Sequence, residues 1–262
     1  MKVLGILALV SLVLSAAGFF KYVYFISLGY GFSVAGIAAS LLIIYRNSLT
    51  PWTIVLSIAL ICYGVRLGGF LVLREIKNAS YKKHLNNETK TGVNFFVKCA
   101  IWVTCVALYV CQVSPLAFRL GNATPDNVLL IVGTIIAICG ILLELFADIQ
   151  KAAAKKKDAH KFVSTGLYRI VRCPNYFGEV LLWTGVFVSG ITSYNVWWQW
   201  VLSALGYAGI IYVMFSGARR LELRQDKNYG EDPEYQKYVK TTPILIPFLP
   251  IYSVKKLKWL VA

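Results

Sequence analysis

Seven stretches of this 262-residue chain are apolar for roughly the length that crosses a lipid bilayer, and they leave little room for anything else. They run over about 3–20, 22–45, 51–73, 95–116, 127–147, 177–194 and 196–216. A helix needs about 20 apolar residues to traverse the hydrocarbon core, where only helices and closed barrels satisfy the backbone. With 58% of its residues hydrophobic, the chain reads as an all-α, polytopic membrane protein with seven transmembrane helices. Only Ser193, Tyr194 and Asn195 separate the last two runs, which predicts a tight helical hairpin. A tail from Gly217 to Ala262 remains. The predicted organisation is one membrane domain over 1–262, with N-terminal helices over about 1–120 and a C-terminal core over about 121–262.

The net charge of +15 invites a nucleic-acid reading, but its placement follows the membrane instead. Six Lys or Arg lie between Arg74 and Lys98, seven between Lys151 and Arg172, and nine after Gly217; with Lys21 this puts 23 of 27 on one predicted side. Cytoplasmic loops carry such an excess. The N-terminus is therefore expected outside or in a lumen and the C-terminus in the cytosol. Met1–Gly18 resembles a signal peptide, yet a signal peptide inserts with its N-terminus in the cytosol, which would put residue 20 outside and invert every later loop against the charge rule, so a retained first helix is expected. The membrane would be endoplasmic reticulum in a eukaryote or the inner membrane in a bacterium.

Six cysteines are scattered with no CxxC pair, and the two histidines, His84 and His160, lie in basic loops. Neither pattern supports a metal site or a disulfide frame. Sequons at Asn78 and Asn87 fall in a predicted cytosolic loop, which leaves Asn122 as the candidate glycan position.

The densest chemistry lies in residues 148–183. A lysine-rich connector leads to Cys173-Pro174-Asn175, where a helix should start, because the fixed φ of proline suits a first helical turn. Free N–H groups at a helix start attract anions. Lys151, Lys155, Lys156, Lys157, Lys161, Arg169 and Arg172 lie just before or inside that turn, so phosphate is the predicted guest. Ionisable groups at membrane depth are costly and mark functional candidates. Tyr63 and Arg66 share one face of the third span, with Arg74 two turns on; Glu144 and Asp148 share a face of the fifth; Asn175 and Glu179 share a face of the sixth. Structural readings compete for each. Arg66 could pair with Glu144 or Glu179, Asp148 could be solvated, and Asn175 could bond backbone locally.

The stretch Gly166-Leu-Tyr-Arg-Ile-Val-Arg-Cys-Pro-Asn-Tyr-Phe-Gly-Glu179 resembles the C-terminal core of the steroid 5-alpha-reductase family. The resemblance is to the branch that carries an Arg-x-Pro-Asn-Tyr-Phe-Gly-Glu motif. The tail is similar too, with Pro233-Glu-Tyr235-Gln-Lys-Tyr238, Thr241, Thr242 and Leu245-Ile-Pro247. The match covers roughly the last 120 residues; the first half matches in span count and at Tyr63-x-x-Arg66.

This resemblance implies a membrane enzyme that uses NADPH to reduce a carbon–carbon double bond conjugated to a carbonyl in a lipophilic substrate. It implies that Asp148, Asn175 and Glu179 contact the nicotinamide half or the ribose. Arg66, Arg74, Lys151, Lys155, Tyr168, Arg172, Tyr176, Arg219 and Glu222 complete the implied cofactor site. Tyr63 would donate to the substrate carbonyl. Two positions depart from the pattern: Cys173 replaces the motif histidine, and Ser27–Ser33 lacks the acid that the family places in the second span. Tyr30 lies in that stretch and is the candidate replacement donor. The implied partners are the lipophilic substrate and membrane lipid, with no nucleic acid and no obligate protein partner. Two other readings stay open. One is an S-adenosylmethionine-dependent isoprenylcysteine or phospholipid methyltransferase, which shares a similar turn and tail. The other is a non-catalytic lipid-binding protein.

Overall fold

The computed structural model describes residues 2–77 and 93–260, and within them the chain is helical with no strand. The helices are α1 (Lys2–Ser15), α2 (Val23–Ile26), α3 (Leu28–Ile44), α4 (Pro51–Lys77), α5 (Phe95–Gly121), α6 (Val128–Lys157), α7 (Pro174–Gly190), α8 (Trp197–Tyr229) and α9 (Pro233–Thr241). Five are long and apolar enough to cross a membrane once α1 is counted with the 3₁₀ turn after it: Lys2–Phe19, α4, α5, α6 and α8. This is the architecture of an integral membrane protein. Two of the seven expected spans are shorter. The second run breaks at Ser27, and its longer part, α3, has 17 residues. Helix α7 also has 17, or about 25 Å of rise against about 30 Å of hydrocarbon. Its first turns carry Asn175 and Glu179. Asn78, Asn87 and His84 lie outside the described residues.

Two helices run past their apolar segments. Helix α6 continues through Ala152-Ala-Ala-Lys-Lys-Lys157, and α8 continues to Tyr229, into the tail expected from Gly217. Ala, Lys, Arg, Glu, Leu and Gln are strong helix formers, so loss of hydrophobicity does not end the helix.

The chain forms two compact units, Met1–Thr134 with Val186–Tyr207, and Ile135–Gly185 with Ala208–Ala262. In the first, α3 and α4 meet backbone to backbone. A Cβ at Gly31 would sit 2.8 Å from the Gly64 oxygen, and one at Gly64 would sit 2.3 Å from the Gly31 oxygen. Small residues permit such an approach between membrane helices. Helix α1 is tied to α5 by the Trp102 indole, whose Nε1 donates to the Leu12 carbonyl at 3.2 Å and to Ser15 Oγ at 3.0 Å. Arg119 is buried at the other end of α5. It donates to the Ser189 carbonyl (2.8 Å), the Pro125 carbonyl (2.9 Å) and Thr192 Oγ1 (2.5 Å), which offsets the cost of burying its charge. The Asn122 amide nitrogen, the atom a glycan would occupy, instead donates to the Ser193 carbonyl and to Gln199 Oε1. That corrects the glycan expectation.

In the second unit, the turn before α7 pairs with the C-terminal tail. The amides of Arg172 and Cys173 donate to the carbonyls of Pro243 and Ile244, each at 2.9 Å. Phe162 packs its ring against Tyr229, Tyr235 and Tyr238. The Tyr238 hydroxyl donates to the Tyr168 carbonyl, and the Tyr235 hydroxyl donates to Asp226 at 2.8 Å. The two tail tyrosines thus close α9 over the connector, and burial raises both phenol pKa values above the ordinary range.

Candidate active site

The first unit carries a buried tyrosine cluster. Tyr63 is 0% exposed, and its hydroxyl donates to that of Tyr30 at 3.1 Å. Each tyrosine immediately precedes a glycine of the α3–α4 contact, so the close approach of the backbones brings the two phenols together. The Tyr109 ring lies 5.4 Å from the Tyr30 ring, and its hydroxyl donates to the Phe25 carbonyl at 2.7 Å, beside the break at Ser27. The Arg66 guanidinium sits 5.8 Å from the Tyr63 ring centre, a cation–π distance. Arg74 takes the same relation to Phe70 at 5.7 Å.

The second unit carries the acids and the amide. A Cβ at Gly140 would sit 2.4 Å from the Leu182 nitrogen, and one at Gly178 would sit 2.7 Å from the Glu144 nitrogen. Helices α6 and α7 therefore touch through their backbones at Glu144. Asn175 lies three residues before Gly178 and so shares its face toward α6. Both glutamates are buried, Glu144 at 4% and Glu179 at 6% exposure. The Trp183 indole, one turn after Glu179, donates to its Oε2 at 3.1 Å. Asn175 Oδ1 is buried and has no hydrogen-bond partner among the described residues. The local backbone bond that could have satisfied this oxygen is therefore not made. Asp148 and Lys151 are half-buried on the same helix as Glu144.

Arg172 is committed within the fold. Its Nη2 donates to Glu222 Oε1 at 2.8 Å and to the Tyr252 carbonyl, and Glu222 Oε2 accepts from the Val254 amide at 2.9 Å. Pair and tail form one buried unit, although Nε and Nη1 of Arg172 have no hydrogen-bond partner among the described residues. Cys173, next in the chain, is fully enclosed, and burial pushes its thiol up to about 12. Tyr168 is buried too. Its hydroxyl donates to the Ala147 carbonyl at 3.3 Å, and burial raises its pKa.

Two basic residues turn toward backbone. Lys155 Nζ donates to the carbonyls of Ala159 and Lys161 and to the Tyr229 hydroxyl. Arg219 donates to the carbonyls of Lys255 and Leu260. The next cations on α8, Arg220 and Arg224, act electrostatically at Tyr176 together with Asp148. Tyr176 lies against Gly217, whose added Cβ would meet its ring at 3.3 Å. Sequence reasoning passed over Arg224, Trp183 and Tyr109. The i,i+4 spacing of Arg220 to Arg224 and of Glu179 to Trp183 was the available signal; Tyr109 had none.

Residues 20–242 match the family described as "Protein of unknown function (DUF1295)". The chain belongs to that family. It is also similar to the steroid 5-alpha-reductase DET2 of Gossypium hirsutum, at 29% identity over 122 residues, 45% of this chain and 41% of the relative. The DET2 of Arabidopsis thaliana aligns over the same shares at 23% identity. The very-long-chain enoyl-CoA reductase of Dictyostelium discoideum is 25% identical over 204 residues, 76% of this chain and 60% of the relative. These matches place the chain in the steroid 5-alpha-reductase-like superfamily. The chain spans 41% to 60% of the length of these relatives. No solved structure matches it.

Proposed function

We propose that this protein is a membrane reductase that transfers a hydride from NADPH to a double bond conjugated to a carbonyl in a lipophilic, steroid-, polyprenol- or acyl-like substrate. The observation that carries the reading lies on α7 where it meets α6: Glu179 is buried, and the buried Asn175 Oδ1 has no hydrogen-bond partner among the described residues. Those two acceptors suit a nicotinamide carboxamide: Asn175 accepts its N–H, and Glu179, oriented by Trp183, accepts a second or a ribose hydroxyl. The names of the relatives support the same class, since steroid and enoyl-CoA reductases both carry it.

NADPH, when bound, supplies the hydride. The protein positions and stabilises. Reduction of an enone builds negative charge on the carbonyl oxygen, and a phenol aimed at that oxygen stabilises it. Tyr63 fits this role when its hydroxyl turns from Tyr30 to the carbonyl, and Tyr30, 3.1 Å away, can then donate to the Tyr63 oxygen in its place. In this reading Tyr30 takes over from the absent second-span acid. Lys151, Tyr176, Arg220 and Arg224 are the proposed phosphate-side contacts, and Arg172 and Glu222 brace the turn.

The test is a thermal-shift comparison of the detergent-purified chain with NADPH, NADH and S-adenosylmethionine. A ligand that binds only the folded state raises Tm. NADPH should raise it in the natural protein and much less in Glu179→Gln. Stabilisation by S-adenosylmethionine without any by NADPH would replace the reductase with a methyltransferase.

A further inference from the structure

The C-terminal tail has two edges with opposite tasks. The inner edge holds the motif turn. The Tyr252 carbonyl accepts from Arg172, the Val254 amide donates to Glu222, and Val254 and Leu260 are wholly buried. The outer edge is apolar and bare. Phe248 is 97% exposed and Trp259 66%, with Leu249 and Leu257 also exposed. Phe248 takes φ 66°, a left-handed conformation that bulky residues rarely adopt, and no packing within the described residues repays it. Lys256 and Lys258 are exposed on the same stretch, Lys255 is paired with Asp226, and residues 242–262 contain no acid.

The level of this edge is marked on α8. Trp259 lies against Tyr212, its ring centre 6.1 Å away, and its carbonyl accepts from the Tyr212 hydroxyl. Tyr212 stands in the last apolar turns of α8, just before Arg219, Arg220 and Arg224. Tryptophan and tyrosine gather where hydrocarbon meets headgroups, and lysines reach outward from there. We propose that Phe248–Trp259 is an interfacial strap that binds anionic membrane lipid, its apolar side chains among the upper acyl segments and Lys256 and Lys258 on the headgroup phosphates. Through Tyr252 and Val254 the same strap clamps Arg172 and Glu222, so lipid contact steadies the motif turn. The strap stands independently of the proposed reaction.

Hydrogen exchange of the full chain in nanodiscs tests this. Each lysine at an anionic surface contributes about 1 kcal/mol, so two predict a gain in strap binding of up to roughly thirtyfold. Amides of 248–259 should exchange roughly tenfold more slowly in discs containing phosphatidylglycerol than in discs of phosphatidylcholine alone. Lys256→Gln with Lys258→Gln should abolish that difference and leave exchange in neutral discs unchanged. Equal exchange in the two discs overturns the proposal, as does a difference that survives the double substitution. Inorganic phosphate added to neutral discs should protect nothing; equal protection there would mean a free-anion site instead.

Discussion

The hydroxyls of Tyr30 and Tyr63 lie 3.1 Å apart, on adjacent helices whose backbones touch at the glycine following each tyrosine. Contact and pairing are one feature. With the proposed chemistry, Tyr63→Phe should lower turnover by about a hundredfold or more, the usual contribution of a positioned acid. NADPH affinity should stay nearly unchanged. Steady-state kinetics on an enone lipid, with cofactor titration in parallel, separate the two. Normal turnover in Tyr63→Phe would remove it from the mechanism.

Gly64→Ala should separate α3 from α4, because the added methyl would meet the Gly31 oxygen at 2.3 Å, backbone against backbone. The expected destabilisation is about 1–3 kcal/mol, the range for overpacking. Gly5→Ala is the control: nothing lies within 4 Å of its added Cβ. Thermal melts in one detergent should show a lower Tm for the first variant and none for the second.

Arg172 and Glu222 form an ion pair with side chains 1% and 0% exposed. Removing one partner of such a pair costs about 3–5 kcal/mol, because the other charge stays buried, whereas replacing both with apolar residues is often close to neutral. Glu222→Leu should therefore melt well below Arg172→Met combined with Glu222→Leu. Equal melting of the two would mean that the pair is not coupled.

Cys173 should resist alkylation at neutral pH. Its thiol is pushed up to about 12 by burial, so the reactive thiolate is scarce until the pH approaches that value, and the side chain is enclosed as well. Mass-spectrometric mapping with a maleimide at pH 7 should find Cys173 unmodified in the folded protein and modified once the protein is denatured. Modification of Cys173 in the folded protein would contradict the enclosed turn.

Local patterns in the sequence marked out much of this molecule. Apolar runs located the main helices, because burying a backbone in lipid forces it to bond within its own segment. Pro174 marked the start of α7, and the spacing of Asn175 and Glu179 put them on one face. The helix ends were less legible. Hydropathy stops near residue 147 and residue 216, but α6 continues through alanines and lysines that favour helix, and α8 continues with Ala218, Leu221 and Glu222 buried. Asn122 also reads as a glycan position, yet it and Arg119 bond to chain some 70 residues away.

Sequence alone determined the helical membrane class, the motif turn and the inventory of polar residues, since each depends on composition or on spacing within one helix. Tertiary structure decided how those residues are used. It paired Tyr30 with Tyr63, spent Arg172 on Glu222, turned Lys155 and Arg219 toward backbone carbonyls and enclosed Cys173. The reason is physical: the partner of a buried polar group lies on another segment of chain, and folding selects it by distance and desolvation, neither of which appears in the order of the letters.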